Sequence, residues 1–203
     1  MKLKQKLAVA LFMGVISTAA SAAENHAYVF ASLGQASYDG PSQSAVALRV
    51  GGGYNFVEIK GVTIGAEGAY VDFGSVSNSY SVGFATATAD VKTTGLMANA
   101  IATYDIPKVR GLGVFGKLGM LHANSSATVS VSSYTLFGTT YPGSSASYSA
   151  TSTGTFFGVG VKYSFNKEME VRGQYEDFGS AVSVNGASTG LTMLSACFVY
   201  KFQ

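Results

Sequence analysis

Between residues 155 and 165 the odd positions Thr155, Phe157, Val159, Val161, Tyr163 and Phe165 are mostly apolar, whereas the even ones, Phe156, Gly158, Gly160, Lys162 and Ser164, are mainly glycine, hydroxyl and charge. Successive side chains of a β-strand point to opposite faces, so this pattern predicts a strand with one greasy and one polar face. After Asn166-Lys167-Glu168 the alternation resumes, with Met169, Val171, Gly173 and Tyr175 set against Glu170, Arg172, Gln174 and Glu176, which predicts a hairpin. Pairing Lys162 with Arg172 places Gly160 opposite Gln174 and Gly158 opposite Glu176, so small residues leave room for large polar ones. Such room is needed inside a closed space, not against bulk water. The hairpin reads as part of a barrel with a polar interior and a lipid-facing exterior.

The same period of two runs through the rest of the chain. A first strand begins at Tyr28, with Val29, Ala31 and Leu33 outward. A second, residues 46–56, sets Leu48, Val50, Tyr54 and Phe56 outside and Ala47, Arg49, Gly51 and Gly53 inside. In a third, residues 62–73, Glu67 points inward between the outward Ile64, Ala66 and Tyr70. A fourth, residues 92–104, turns Leu96, Ala98, Ala100, Ala102 and Tyr104 to lipid and Met97, Asn99, Ile101 and Thr103 inward. A fifth, residues 112–122, points Val114, Leu118 and Met120 out and Phe115, Lys117 and Leu121 in. The last strand alternates Leu194, Ala196, Phe198, Tyr200 and Phe202, with Cys197 on the interior parity. Residues 74–89 and 179–189 read as loops. Residues 123–153 form the longest connection, free of charge and rich in Ser, Thr, Ala and Tyr; residues 128–136 still alternate, so a protruding hairpin is expected there. Connections after the second, fourth and sixth strands are short and the others long. The expected fold is all-β: an eight-stranded antiparallel up-and-down transmembrane β-barrel with both termini on the periplasmic side.

The amino terminus adds a compartment. Lys2, Lys4 and Lys6 precede an apolar run of residues 7–16 and a small-residue stretch ending Ala20-Ser21-Ala22. That order of charge, short apolar core and small residues predicts a secretory signal peptide over residues 1–22, with the barrel domain over 23–203. The apolar run is too short for a membrane anchor helix, which needs about 20 residues. Cleavage removes three of the 13 basic residues and leaves the mature chain near neutral against 11 acidic ones. No basic patch then argues for nucleic acid. The single cysteine rules out an internal disulfide. Only 12% of residues are charged, and there are 25 glycines but no later apolar helix of membrane length, which suits a membrane barrel better than a soluble domain.

Several stretches carry a resemblance: Ala31-Ser-Leu-Gly34, Gly65-Ala-Glu-Gly-Ala-Tyr-Val-Asp-Phe-Gly74, Gly116-Lys-Leu-Gly119, Phe157-Gly-Val-Gly-Val-Lys-Tyr163 and Arg172-Gly-Gln-Tyr-Glu-Asp-Phe-Gly179. Together they resemble the small eight-stranded outer-membrane barrels of the OmpA-like, OmpX-like and opacity-type porin group. The alternate hydrophobics Phe198, Tyr200 and Phe202 are similar to the assembly signal of such barrels, although Gln203 leaves the last aromatic next to the end. The resemblance implies a bacterial outer-membrane location, with outer-membrane lipid and the barrel-assembly machinery as partners. It implies little about the task, because a shared scaffold carries varied loops. Peptidoglycan binding, a property of relatives with an added periplasmic domain, is not implied.

Two groups of residues are candidate sites. Arg49, Glu67, Lys117 and Glu176 fall at similar heights counted from the periplasmic turns, and Lys162, Glu170 and Arg172 form a lower layer. They predict a salt-bridged plug, because a lone charge in such a strand requires a partner. The other expectation for them is a gate. Tyr134, Phe137, Tyr141 and Tyr148 supply amphipathic rings in a Ser/Thr background, a composition suited to contacts with a host or cell-surface ligand.

Enzymatic chemistry finds little support. Barrels that deacylate lipid A use a His and a Ser on the outer wall; His26 falls near the periplasmic entry, and His122, beside Asn124 and Ser125, lacks that motif's spacing and a nearby acid. No Cys/His/acid spacing suggests a metal, no feature requires a cofactor, and the triple glycine at 51–53 lacks the lysine, serine and helix of a phosphate loop. A lipocalin-like barrel would reverse the two faces. The expected function is that of a non-enzymatic outer-membrane barrel with a structural or adhesin-like role carried by its outer loops. The alternative is a narrow porin-like channel gated by the lumen charges.

Overall fold

The computed structural model describes residues 27–39, 43–82, 85–136, 139–179, 182–184 and 187–202; the expected signal peptide and His26 lie outside the described residues. One closed antiparallel ring contains β1 (Ala27–Tyr38), β2 (Gln43–Ile59), β3 (Val62–Val82), β4 (Ala85–Asp105), β5 (Leu112–Val131), β8 (Ser144–Ser164), β9 (Met169–Asp177) and β12 (Leu191–Lys201). Two small hairpins, β6 (Tyr134–Leu136) with β7 (Thr139–Tyr141) and β10 (Val182–Val184) with β11 (Ala187–Thr189), sit in the connections at one end. The ring closes where β1 pairs with β12, from Tyr28 opposite Lys201 to Tyr38 opposite Leu191. Every neighbour in the ring is consecutive in the barrel path, so the topology is up-and-down. Among the described residues no helix is long and apolar enough to cross a membrane.

The register follows the side-chain pattern. Lys162 pairs with Arg172, Gly160 with Gln174 and Gly158 with Glu176. The glycines do open space, but not uniformly for polar groups: a Cβ on Gly158 would lie 2.8 Å from Glu176 Cγ, whereas one on Gly160 would collide with the Phe115 ring. The lumen is therefore partly aromatic where the sequence suggested polar filling. At the opposite end from the hairpins, Lys60 and Gly61 connect β2 to β3 with φ of 51° and 81°. A two-residue turn with both φ positive matches the twist of the paired strands, and glycine takes the second position without strain.

One expected loop is strand, and the protruding hairpin expected after the fifth strand is present. β3 continues to Val82 and β4 starts at Ala85, so most of residues 74–89 is ladder, and β5 and β8 pair up to Val131 opposite Ser144. The length contrast between connections is absorbed into strands: β1 and β2 are separated by only residues 39–42. β3, β4, β5 and β8 thus rise together as a four-stranded sheet on one side of the barrel, beyond the ends of β9, β12, β1 and β2. A bulge between Asp72 and Ser75, with Gly74 at φ 80°, shifts the β3 register by one residue and moves Val76, Asn78 and Tyr80 onto the inner side.

The outer wall is apolar along the ring. Leu33, Leu48, Val50, Leu96, Val114, Leu118, Val159, Val161, Val171 and Leu194 are all exposed, as the alternation predicted. Near the short turns, outward i, i+2 aromatic pairs meet in tilted or edge-to-face contacts: Tyr54 with Phe56 at 5.5 Å, Tyr163 with Phe165 at 5.2 Å, and Tyr200 with Phe202 at 5.5 Å between centroids. Amphipathic rings belong at a membrane–water boundary, so these pairs mark the edge of the hydrocarbon. An arginine replacing Leu118, 68% exposed in mid-wall, should cost about 2–4 kcal/mol of folding free energy in a bilayer. Ser145→Lys, on the risen part of β8, should change stability by less than about 0.5 kcal/mol. Denaturant titrations of the two variants in lipid vesicles check this; equal costs would misplace the membrane.

Candidate functional site

The lumen contains two unlike layers. Toward the short turns, inward positions of adjacent strands bring together the seven charged residues expected there. Arg49 Nη1 donates to both Glu176 oxygens at 2.6 and 2.7 Å. Lys117 Nζ lies 2.7 Å from Glu67 Oε2 and 4.0 Å from Glu176 Oε1. Arg172 joins the two expected levels into one lattice, donating from Nη1 to Glu67 and from Nε to Glu170, each at 2.6 Å. The Lys162–Arg172 opposition is tolerated because Glu170 lies between them, 3.5 Å from Lys162 Nζ.

Four further partners complete the lattice. Tyr28 donates its hydroxyl to Glu67 Oε1 at 3.0 Å, and Asn99 Nδ2 donates to Oε2 at 3.2 Å. Lys201 Nζ donates to Glu170 Oε2 at 2.7 Å, and Lys162 Nζ meets Asp105 at 2.8 Å at the rim. Lys201 shares the inward parity of Cys197 and Val199, and Asp105 that of Ile101 and Thr103, so both signals were present in the sequence. Aromatic rings line the cations: Arg172 lies 5.1 Å from the Tyr28 centroid and Lys117 5.4 Å from that of Phe115. Carboxylates, hydroxyls and ring faces surround these charges, as groups removed from water require, with Arg49 the least completely paired.

Toward the other end the lumen is mostly apolar, apart from the buried Thr93 and Ser125 hydroxyls bonded to each other at 3.1 Å. Phe73, Phe156 and Phe178 are fully buried, with Phe178 ring centroids 5.1 Å from both Phe73 and Phe156. Leu121, Leu191, Met193, Val71 and Tyr38 pack with them. Hydrophobic side chains thus cap the charge lattice, which corrects the expectation of a polar interior throughout.

The risen sheet has two faces of its own. Its outer face is a hydroxyl ladder, with Ser77 bonded to Asp90, Ser79 to Thr88 at 3.3 Å and Thr128 to Ser147 at 3.2 Å. Lys92 on that face lies 3.0 Å from Asp72, and the hydrogen bond raises the lysine above its ordinary pKa. The inner face carries Val76, Tyr80, Val91, Ala127, Val129, Ala146 and Tyr148, with Tyr80 59% and Tyr148 52% exposed. Tyr141 is exposed in β7. The Tyr134 backbone is in β6 but its side chain, like all of Phe137, lies outside the described residues. Tyr80 is an additional ring on this face, one whose direction the Gly74 bulge hid.

His122 is exposed on the outer wall and shares a 2.8 Å hydrogen bond with Thr153, not with a carboxylate. Among the described residues no group of three His, Cys, Asp or Glu could hold a metal. Phe198 and Tyr200 face outward as expected, and Phe202 meets Tyr200 edge to face. Cys197 is buried in the lumen.

Comparison with curated proteins finds no match. Among solved structures, Neisserial surface protein A is 19% identical, with 87% of this chain and 97% of that one covered at a TM-score of 0.55. Ail, the attachment invasion locus protein of Yersinia pestis, in its complex with the heparin analogue sucrose octasulfate, is 15% identical over 86% of this chain and 96% of that one at 0.46. The N-terminal β-barrel domain of Pseudomonas aeruginosa OprF is 14% identical over 86% and 97% at 0.42. The model of the outer membrane protein beta-barrel domain matches residues 8–202. The chain belongs to that family and is integral to the bacterial outer membrane.

Proposed function

We propose that this barrel is a non-enzymatic surface-interaction protein, its outer end binding a host or cell-surface ligand while its lumen serves structure. One observation carries the reading: the risen sheet displays an apolar, tyrosine-bearing face beyond the membrane, with Tyr80, Val129 and Tyr148 exposed on it. Exposed aromatic rings on a rigid sheet cost little conformational entropy on binding and are frequent anchors of recognition. Tyr141 in β7 adds a further exposed ring; Tyr134 and Phe137 belong to the same Ser/Thr-rich connection by sequence. With so few charges there, the ligand is held by apolar and hydrogen-bonding contacts more than by steering.

In this reading residues 1–22 direct export, Phe198, Tyr200 and Phe202 are read by the barrel-assembly machinery, and the apolar wall is solvated by outer-membrane lipid. The lattice from Arg49 to Glu176 and the aromatic cap above it favour a closed lumen over a diffusion channel. Cells displaying the wild type should adhere to host-cell monolayers, and Tyr80→Ser with Tyr148→Ser should reduce adhesion ~10-fold or more at equal surface amount. Unchanged adhesion of the double variant would remove the recognition face. In planar bilayers the refolded mature protein should show no channels. Reproducible conductance altered by Lys117 or Arg172 substitutions would replace this reading with the narrow channel.

A further inference from the structure

Arg49 is the least satisfied cation of the lumen. It is 2% exposed, and Nη1 alone makes both bonds to Glu176. Its Nε and Nη2 are buried and have no hydrogen-bond partner among the described residues. These two nitrogens form one edge of the guanidinium, where a planar pair of donors grips an anion. Phe30 lies against the guanidinium, Cζ 5.7 Å from its ring centroid. Two neighbouring polar atoms are also buried without partners. Ser32 Oγ belongs to the residue paired with Arg49 across β1 and β2. Gln174 Oε1 belongs to the inward residue preceding Glu176 on β9, and its Nε2 donates to Ser195 at 3.1 Å. Turning that amide over lets Oε1 accept from the Ser195 hydroxyl and frees two N–H donors.

Charge gives an independent reason. Among the described residues Arg49, Lys117, Lys162 and Arg172 are buried against only three buried carboxylates, Glu67, Glu170 and Glu176. At the rim Lys201 and Asp105 add one of each sign. One positive charge is left over in a region of low dielectric, where an uncompensated ion is strongly disfavoured. Water would satisfy the donors but not the charge.

We propose that the Nε/Nη2 edge of Arg49, with Ser32 and Gln174 beside it, holds a small monovalent inorganic anion of the size of chloride. The anion completes the charge balance and gives Arg49 its second partner. Eight strands enclose little more than their own side chains, so an organic acid is too large. The aromatic cap closes the outer end, so exchange runs through the periplasmic end past Lys162 and Lys201.

The test uses the refolded mature barrel in zwitterionic detergent, melted in sodium chloride against sodium gluconate at matched ionic strength. Above the dissociation constant, each tenfold rise in chloride should lift the wild-type midpoint by roughly 3–6 °C. Arg49→Lys keeps the charge but lacks the fork and should lose the dependence. Ser32→Ala, which leaves every charge in place, should shift the dependence to higher chloride. Crystals grown in bromide should show an anomalous peak within hydrogen-bond reach of Arg49 Nε and Nη2. A midpoint indifferent to chloride, or a bromide-free Arg49 in those crystals, would overturn the proposal in favour of water or of a neutral lysine nearby. An undiminished chloride effect in Arg49→Lys would likewise overturn it.

Discussion

Glu67→Gln should lower the stability of the barrel by about 3–5 kcal/mol, because it removes the carboxylate shared by two buried cations. Lys117 and Arg172 lie 2.7 and 2.6 Å from Glu67, and both are buried. Glutamine fills the same volume and keeps an oxygen for the Tyr28 hydroxyl or the Asn99 amide, so the loss reports charge and not a cavity. For a chain of this size the melting midpoint should fall by roughly 6–20 °C. Heat-dependent gel mobility in detergent and urea titration in vesicles both read it. Glu58→Gln, at the exposed end of β2, should shift the same readouts by less than about 0.5 kcal/mol. If Glu67→Gln melts with the wild type, the lattice does not stabilise the barrel and its retention needs another cause.

The part of this lattice that was legible in the sequence shows why. Lys162, Glu170, Arg172 and Glu176 interrupt an otherwise apolar or glycine-rich alternation, and a period of two assigns each to a face without any tertiary information. The pairing of residues 162 and 172 followed from a short turn. What depended on closure was less accessible. Lys201 reaches Glu170 because β12 pairs with β9, Val199 opposite Glu170, and Tyr28 reaches Glu67 across the wall from β1 to β3. Such contacts come from a barrel circumference that no local window contains. Arg172 bridging both layers likewise follows from strand stagger, which height counted along single strands does not capture.

The risen sheet was hidden for a different reason. Its strands alternate Ser and Thr with Ala and small apolar residues, so the hydropathy contrast between faces is weak, as in Ser75-Val76-Ser77-Asn78. The one-residue bulge at Gly74 then reverses parity midway along β3. A strict period-two reading fails across such a point even where the residues on both sides are strand. Residues 123–153 retained enough alternation to announce a hairpin; residues 74–89 did not.

Phe178→Ala tests the aromatic cap, and with it the division of labour between cap and lattice. Phe178 is fully buried and meets the rings of Phe73 and Phe156, each at 5.1 Å, so truncation should cost about 3–5 kcal/mol in a urea titration. The lower end of that range is expected, because the cap lies near the outer mouth of the barrel. The same variant should remain silent in planar bilayers. Beneath the cap, Arg49 with Glu176 and Lys117 and Arg172 with Glu67 still pair across the lumen at 2.6–2.7 Å, the two groups meeting at 4.0 Å between Lys117 and Glu176, and an ion would have to break several of these contacts to pass. The two readouts separate the possibilities. Loss of stability with no conductance assigns the cap to packing and leaves the lattice as the seal. Steady conductance after removal of this one ring would make the cap the barrier to flow and the charges beneath it the wall of a channel, which would reverse the ranking of the two functions.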